Sequence, residues 1–90
     1  MKFEWDPKKA ATNLKKHGVT FQEAATVFGY PLAITFQDPD HSMDEERHMT
    51  FGQSLKKRLI VVSHTERKDR TRIISARLMD RKERVIYEKG

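Results

Sequence analysis

The chain has 90 residues, of which 37% are hydrophobic and 34% are charged, and its formal net charge is +5. It has no cysteine, so disulfide bonds are excluded, and no apolar stretch approaches the roughly 18 residues that a membrane-spanning helix needs. The charged N-terminus is unlike a signal peptide, so we expect a single cytoplasmic domain over residues 1–90, with no membrane contact. Residues 54–90 hold twelve basic and five acidic residues, and a basic surface of this kind attracts nucleic acid, membrane headgroups or an acidic protein.

The first third of the chain predicts one short strand and two helices. Residues 2–5 alternate polar and apolar side chains, as a strand does. Asp6-Pro7 is a typical helix start, and Gly18 supplies a left-handed stop after His17. Thr20 and Glu23 form a capping-box pattern for a second helix that ends at Gly29.

The remaining residues predict four strands and a final helix. The strands are predicted at 32–37, 47–52, 58–66 and 70–78. Side chains alternate between two faces along the first two, and the third is apolar on both faces and is therefore predicted to be central. Short connections such as Lys68-Asp69 favour antiparallel neighbours. Asp80 can cap a last helix, with Val85 and Ile86 as its apolar contacts. The predicted fold is α+β, with two N-terminal helices packed on a mainly antiparallel sheet of four to five strands and a short C-terminal helix.

An acidic segment separates the first two of these strands. It contains Asp38, Asp40, His41, Asp44, Glu45 and Glu46. Its spacing matches no calcium or zinc pattern, so a solvated loop is favoured over a cation site. No other metal motif or glycine-rich phosphate loop is present, and we expect neither a metal nor a cofactor.

The charged ends of the last two strands are the best candidates for chemistry. Alternation places His64 and Glu66 on one face of the sheet and Arg67 on the other, unless the turn brings Arg67 back. Arg72 and Arg77 also point to opposite faces if their strand is regular, and share a face only if a bulge intervenes. The structural alternatives are a hydrogen-bonded histidine at the edge of the core and a local ion pair for Arg77.

Other basic residues form smaller groups. Lys8 and Lys9 lie in the first turn of the first helix, where the helix dipole disfavours cations, so they are either a tolerated surface pair or a phosphate-binding patch. On the last helix, Arg81 and Arg84 read either as a solvated face or as RNA contacts.

Several segments together resemble the BrnT family of toxins of type II toxin–antitoxin systems. They run in order along nearly the whole chain: Phe3-Glu4-Trp5-Asp6-Pro7, Lys16-His17-Gly18-Val19, Phe21-x-Glu23-Ala24, Asp38-Pro39-Asp40-His41-Ser42, Glu46-Arg47, His64-Thr65-x-Arg67 and Arg72-Ile73-Ile74-Ser75-Ala76-Arg77. The resemblance implies a fold like that of the RelE and ParE toxins and a metal-independent ribonuclease that blocks translation. It also implies a ribbon–helix–helix antitoxin of the BrnA type, which binds operator DNA, as partner.

The resemblance also implies roles for individual residues. His64 would transfer protons, Arg67 and Arg77 would clamp the phosphate, and Lys8 is a less specific addition to this catalytic set. The expected RNA-binding residues are Lys9, Arg70, Arg72, Arg81 and Arg84. Two alternatives remain open: a non-catalytic module that binds RNA or an acidic protein, and a ParE-like toxin with a topoisomerase rather than RNA as target.

Overall fold

The computed structural model describes residues 1–38 and 46–89. Its elements, in chain order, are β1 (Lys2–Glu4), α1 (Pro7–His17), α2 (Phe21–Thr26) with a 3₁₀ turn (Val27–Gly29), β2 (Ile34–Gln37), β3 (Arg47–Gln53), β4 (Leu59–Arg67), β5 (Arg70–Leu78) and α3 (Arg81–Lys89). The predicted acidic loop falls largely on residues 39–45, which lie outside the described residues.

The five strands form one mixed sheet in the order β1-β5-β4-β3-β2. Strands β2 to β5 are an antiparallel meander, as their short connections predicted, and β4 lies at the centre. β1 joins the edge of β5 in parallel, which requires the intervening chain to cross over. The α+β prediction is therefore confirmed, but the helices do not all precede the sheet, because β1 comes before α1.

Local capping signals set the helix boundaries. The Asp6 carboxylate accepts a hydrogen bond from the Lys8 backbone N–H at 2.9 Å and so caps α1. At the other end, Gly18 adopts φ +68° and its N–H donates to the Leu14 carbonyl at 2.9 Å. The Thr20 hydroxyl accepts from the Glu23 N–H at 3.0 Å, which starts α2.

The hydrophobic core lies between the first two helices and one face of the sheet. Phe21 and Val27 on the helical side and Ile60, Val62 and Ile73 on the strands are all almost fully buried. Trp5 packs edge-on against Phe21, with ring centroids 5.9 Å apart, as expected of a core anchor.

A β-bulge interrupts the pairing of β4 with β5. Ser63 pairs with Ser75, whereas His64 pairs with Ile73, so Ile74 is the extra residue. The bulge reverses the facing of β5 from Ser75 onward, and both Ile73 and Ala76 therefore reach the core. For the same reason Arg72 and Arg77 share the opposite face, where a regular strand would have separated them.

Helix α3 lies against this second face. Asp80 and Glu83 form the capping box that starts it, each accepting from the other's backbone N–H at 2.7 and 2.9 Å. The Tyr87 hydroxyl donates to the Leu32 carbonyl at 2.7 Å. Val85 and Ile86, the predicted apolar contacts, keep about half or more of their side chains exposed, although Ile86 faces Phe36 and Phe51 across a groove. The hydrogen bonds that attach α3 to the sheet come from Glu83 and Tyr87.

None of the helices within residues 1–38 and 46–89 is long and apolar enough to cross a membrane.

Asn13 joins α1 to the free edge of β5. Its Nδ2 donates to the carbonyls of Ala76 and Val19, at 2.8 and 3.0 Å, and its Oδ1 accepts from the Ala76 N–H at 3.0 Å. Because β1 pairs with β5 only as far as Arg72, the buried amide takes the place of a neighbouring strand for the peptide groups of Ala76.

We predict that Asn13→Ala lowers the free energy of unfolding by about 2–3 kcal/mol, since it leaves buried backbone groups without partners. Urea denaturation measures the change. Lys15→Ala, on the exposed side of the same helix, is the control and should change stability by less than about 0.5 kcal/mol. Equal stability of the two variants would contradict the bridging role of Asn13.

Candidate functional site

Five arginines share the sheet face that α3 partly covers. The strand registers align Arg77 with Val61, align Arg72 with Thr65 and Arg47, and pair Arg70 with Arg67. Residues directly opposite each other in a sheet lie on the same face. We call this set the arginine face: Arg47, Arg67, Arg70, Arg72 and Arg77.

Carboxylates among residues 1–38 and 46–89 contact the guanidinium groups of Arg70, Arg72 and Arg77. Arg77 forms a bidentate salt bridge with Glu83, with 2.7 Å from Nη1 to Oε1 and 2.9 Å from Nη2 to Oε2. Arg72 Nη1 donates to Glu4 Oε2 at 2.9 Å, and Arg70 lies 3.7 Å from the other oxygen of Glu4. Each of these arginines keeps about a third to a half of its side chain exposed, so the positive charge remains reachable.

Pairing of Arg77 with Glu83 shifts the pKa values of both side chains. The hydrogen bonds from Arg77 lower the pKa of Glu83, and the same bonds raise the pKa of Arg77 above its ordinary value. Arg77 is therefore always charged and cannot act as a base. Its fork holds a carboxylate in the same bidentate manner in which guanidinium groups bind phosphate.

His64 lies on the other face of the sheet, inside the core. It is 3% exposed, and its ring contacts Phe28 edge-on and stacks on His48. Both ring nitrogens are hydrogen-bonded: Nε2 to Thr50 Oγ1 at 2.7 Å and Nδ1 to Glu66 Oε2 at 2.8 Å. The chain of bonds continues from Thr50 to Thr35 and from Glu66 to Thr71.

This network has the composition of a hydroxyl–histidine–carboxylate triad, but it is closed to a substrate. Thr50 is 1% exposed, and its hydroxyl is already bonded to Thr35. Burial is the largest influence on His64 and lowers its pKa, against the opposing effect of Glu66. The arrangement therefore favours a neutral His64 that ties β3 to β4.

The structure brings together only part of the predicted catalytic set. Arg67 and Arg77 lie on the arginine face with Arg70 and Arg72, whereas His64 lies behind the sheet and Arg67 does not turn back towards it. The predicted grouping of His64 with the two arginines is therefore not found.

The lysines and helix arginines lie elsewhere. Lys8 and Lys9 line a groove between α1 and the β5 bulge, at the edge of the sheet. Arg81 and Arg84 are exposed on α3, whose inner side carries Glu83, Ile86 and Tyr87.

Two members of the site were missed by sequence reasoning. Arg47 shares a strand face with Met49 and Phe51, and this pattern could have placed it beside Arg72, but the orientation of the β5 side chains depended on the bulge. Glu83 gave no signal in the sequence, because its pairing with Arg77 depends on where α3 packs. Two other carboxylates lie apart from the arginine face: Glu66 is hydrogen-bonded to His64, and the side chain of Glu23, predicted for the capping box, pairs with Arg58 and Ser54 instead. Within residues 1–38 and 46–89, no three His, Asp or Glu side chains are placed to hold a metal ion.

Comparison with known proteins identifies relatives of the chain. Residues 5–83 match the family model described as the ribonuclease toxin BrnT of type II toxin–antitoxin systems. The fold is similar to the crystal structure of the Brucella abortus ribonuclease toxin BrnT, with a TM-score of 0.71 and 26% identity over 90% of this chain and 99% of that chain. Among the curated proteins, no sequence matches significantly.

The buried His64 predicts a specific loss of stability on mild acidification. Its ordinary pKa is 6.5, which the unfolded chain adopts, and the folded value is lower. Between the two values the unfolded chain binds more protons, so the free energy of unfolding falls as the pH drops below 6.5.

We predict that His64→Gln weakens this dependence between about pH 7.5 and about pH 5.5, as measured by urea denaturation. The window lies above the titration of Glu23 and Glu83, whose pKa values are lowered below 4.5. His17→Gln, at the exposed end of α1, is the matched control. An identical pH dependence in wild type and His64→Gln would show that His64 does not carry the effect.

Proposed function

Because the chain belongs to the BrnT family of ribonuclease toxins of type II toxin–antitoxin systems, we propose that its arginine face binds and cleaves RNA. The observation that carries the proposal is the convergence of five arginines on one sheet face, with Arg77 held in a carboxylate fork. A phosphodiester has the charge and the paired oxygens that such a fork accepts.

The proposed reaction is metal-independent attack of the 2′-hydroxyl on the adjacent phosphodiester. The 2′-oxygen gives its proton to solvent water and bonds to phosphorus, the bond from phosphorus to the 5′-oxygen breaks, and the 5′-oxygen takes a proton from water, which leaves a 2′,3′-cyclic phosphate. Negative charge builds up on the phosphate oxygens during this exchange. Fixed guanidinium groups stabilise that charge more than they stabilise the ground state, and this difference accelerates the reaction. Arg77 and Arg72 are assigned to the reacting phosphate, and Arg47, Arg67 and Arg70 to the flanking phosphates.

We assign His64 the role of positioning β3 against β4, and with it the arginines on the opposite face. Its ring holds β3 against β4 through Thr50, and Arg47 and Thr65 occupy the opposite side of the same two strands. Thr65 fixes the start of β3 by donating to the Glu46 carbonyl at 2.9 Å. The buried network thus supports the geometry of the arginine face without touching the RNA.

We also propose the cellular context that the family implies. RNA cleavage would inhibit translation, and a BrnA-type ribbon–helix–helix antitoxin would neutralise the toxin. The surface that such an antitoxin must cover is the arginine face, since covering it excludes RNA. An acidic segment of the antitoxin would complement it by charge.

We predict that Arg77→Ala lowers the single-turnover cleavage rate by about 100-fold or more. The substitution removes a positive charge and two hydrogen-bond donors that stabilise the transition state. The assay uses antitoxin-free protein, labelled RNA and excess chelator. Lys82→Ala, which removes a positive charge from an exposed position of α3, should change the rate little. A folded Arg77→Ala variant that cleaves at the wild-type rate would remove Arg77 from the site, and loss of wild-type cleavage in chelator would refute metal independence.

A second prediction follows from the competition between Glu83 and phosphate for Arg77. Glu83→Gln should bind uncleavable 2′-O-methyl RNA more tightly, because the amide is a weaker competitor for the guanidinium than the carboxylate. Fluorescence anisotropy measures the affinity. Glu88→Gln makes the same charge change at an exposed position of α3, so an equal gain in both variants would show that net charge alone is responsible.

A further inference from the structure

We propose that the groove between α1 and the β5 bulge is a second phosphate-binding site, which holds the backbone of single-stranded RNA as it leaves the arginine face. This inference rests on the proposed function of that face. The groove has a volume of about 300 Å³, and we call it the lysine groove; the lining residues that matter are Lys8, Lys9, Lys16, Thr12, Ile74 and Ser75.

The groove lies where neither β1 nor Asn13 covers the edge of β5. β1 covers the edge of β5 only as far as Arg72, and Asn13 occupies the edge at Ala76. Between them, Ile74 has no partner residue in β1 or β4, and Ser75 has none in β1. The stretch of strand edge between Arg72 and Ala76 therefore faces α1 across a gap.

The charge of the groove fits a polyanion. Three lysines and His17 line it, and no Asp or Glu is among its lining residues. In the part of the chain that the structure describes, none of the three lysines forms an ion pair with a carboxylate. The first turn of α1 contains Lys8 and Lys9 but no acidic residue, which helix stability alone does not favour.

Ser75 connects the lysine groove to the arginine face. It lines the groove, and its pairing with Ser63 places it in the row of the sheet between Arg72 and Arg77. Ser75 and Arg77 are two positions apart in β5, which corresponds to about 7 Å at the rise per residue of a strand. A strand of RNA bound at Arg77 can therefore cross the edge of β5 at Ser75 and continue along α1, where the lysines of the groove supply positive charge. This continuity favours RNA over a separate protein partner.

The test compares binding of a 2′-O-methyl trinucleotide and a dodecanucleotide. The double variant Lys9→Gln/Lys16→Gln should bind the dodecanucleotide more weakly, and the slope of log affinity against log salt should fall by about 1.4, which is two phosphate contacts at about 0.7 each. Binding of the trinucleotide, which fills only the arginine face, should not change. Lys15→Gln/Lys89→Gln removes two positive charges outside the groove and is the matched control.

Two results would overturn the inference while leaving the proposed function intact. One is wild-type affinity and salt slope of the groove variant for the dodecanucleotide, and the other is an equal loss in the control variant. A groove variant that binds RNA normally but no longer binds its antitoxin would likewise overturn it, in favour of a protein-binding surface. Failure of the proposed function is separate, because the wild-type protein would then bind neither oligonucleotide. Thermal melting of each variant checks that it is folded.

Discussion

The extra residue at Ile74 is the constraint on which the rest of the site depends. Without the bulge, a regular β5 that buries Ile73 would bury Ser75 and Arg77 as well and expose Ala76. With it, Ile73 and Ala76 both enter the core, and Arg72 and Arg77 both reach the outer face. The extra residue thus accounts for the core packing and for the arginine face. The edge of β5 beside the bulge is uncovered for a separate reason, since the pairing of β1 ends at Arg72.

The two faces of the sheet have different roles: the inner face forms the core, and the outer face carries the positive charge. The inner face buries apolar side chains and a hydrogen-bonded network in which both nitrogens of His64 are occupied. The outer face carries arginines whose long side chains project towards solvent and whose charges are partly balanced by Glu4 and Glu83. Protonating His64 would place a charge inside the core, whereas the guanidinium groups stay charged throughout. A reaction that depends on the outer face is therefore governed by fixed charge and not by the titration of a histidine.

Local signals in the sequence predicted the elements well, because caps and alternation act over a few residues. Asp6, Gly18 and Thr20 bound their helices as expected, and the strand at 70–78 was found with the same limits. What failed was non-local. The facing of Arg72 relative to Arg77 depends on a register shift against β4 that no alternation pattern reveals. The partner of Arg77 depends on where α3 packs on the sheet. The side chain of Glu23 bonds to Arg58, which is distant in sequence, and not to the N-cap backbone that the capping box predicts. His64 looked accessible at a strand end, but Phe28 and Thr50 enclose it only in the folded sheet.

The central claim is that RNA is bound on the arginine face and not at the buried histidine. A crystal structure of the protein with a bound 2′-O-methyl RNA tests it most directly. The account predicts phosphate oxygens within hydrogen-bonding distance of the guanidinium groups of Arg77 and Arg72, with the Glu83 carboxylate displaced from Arg77. RNA bound on the side of the sheet that α1 and α2 cover, with a phosphate or ribose in contact with the His64 ring, would contradict it.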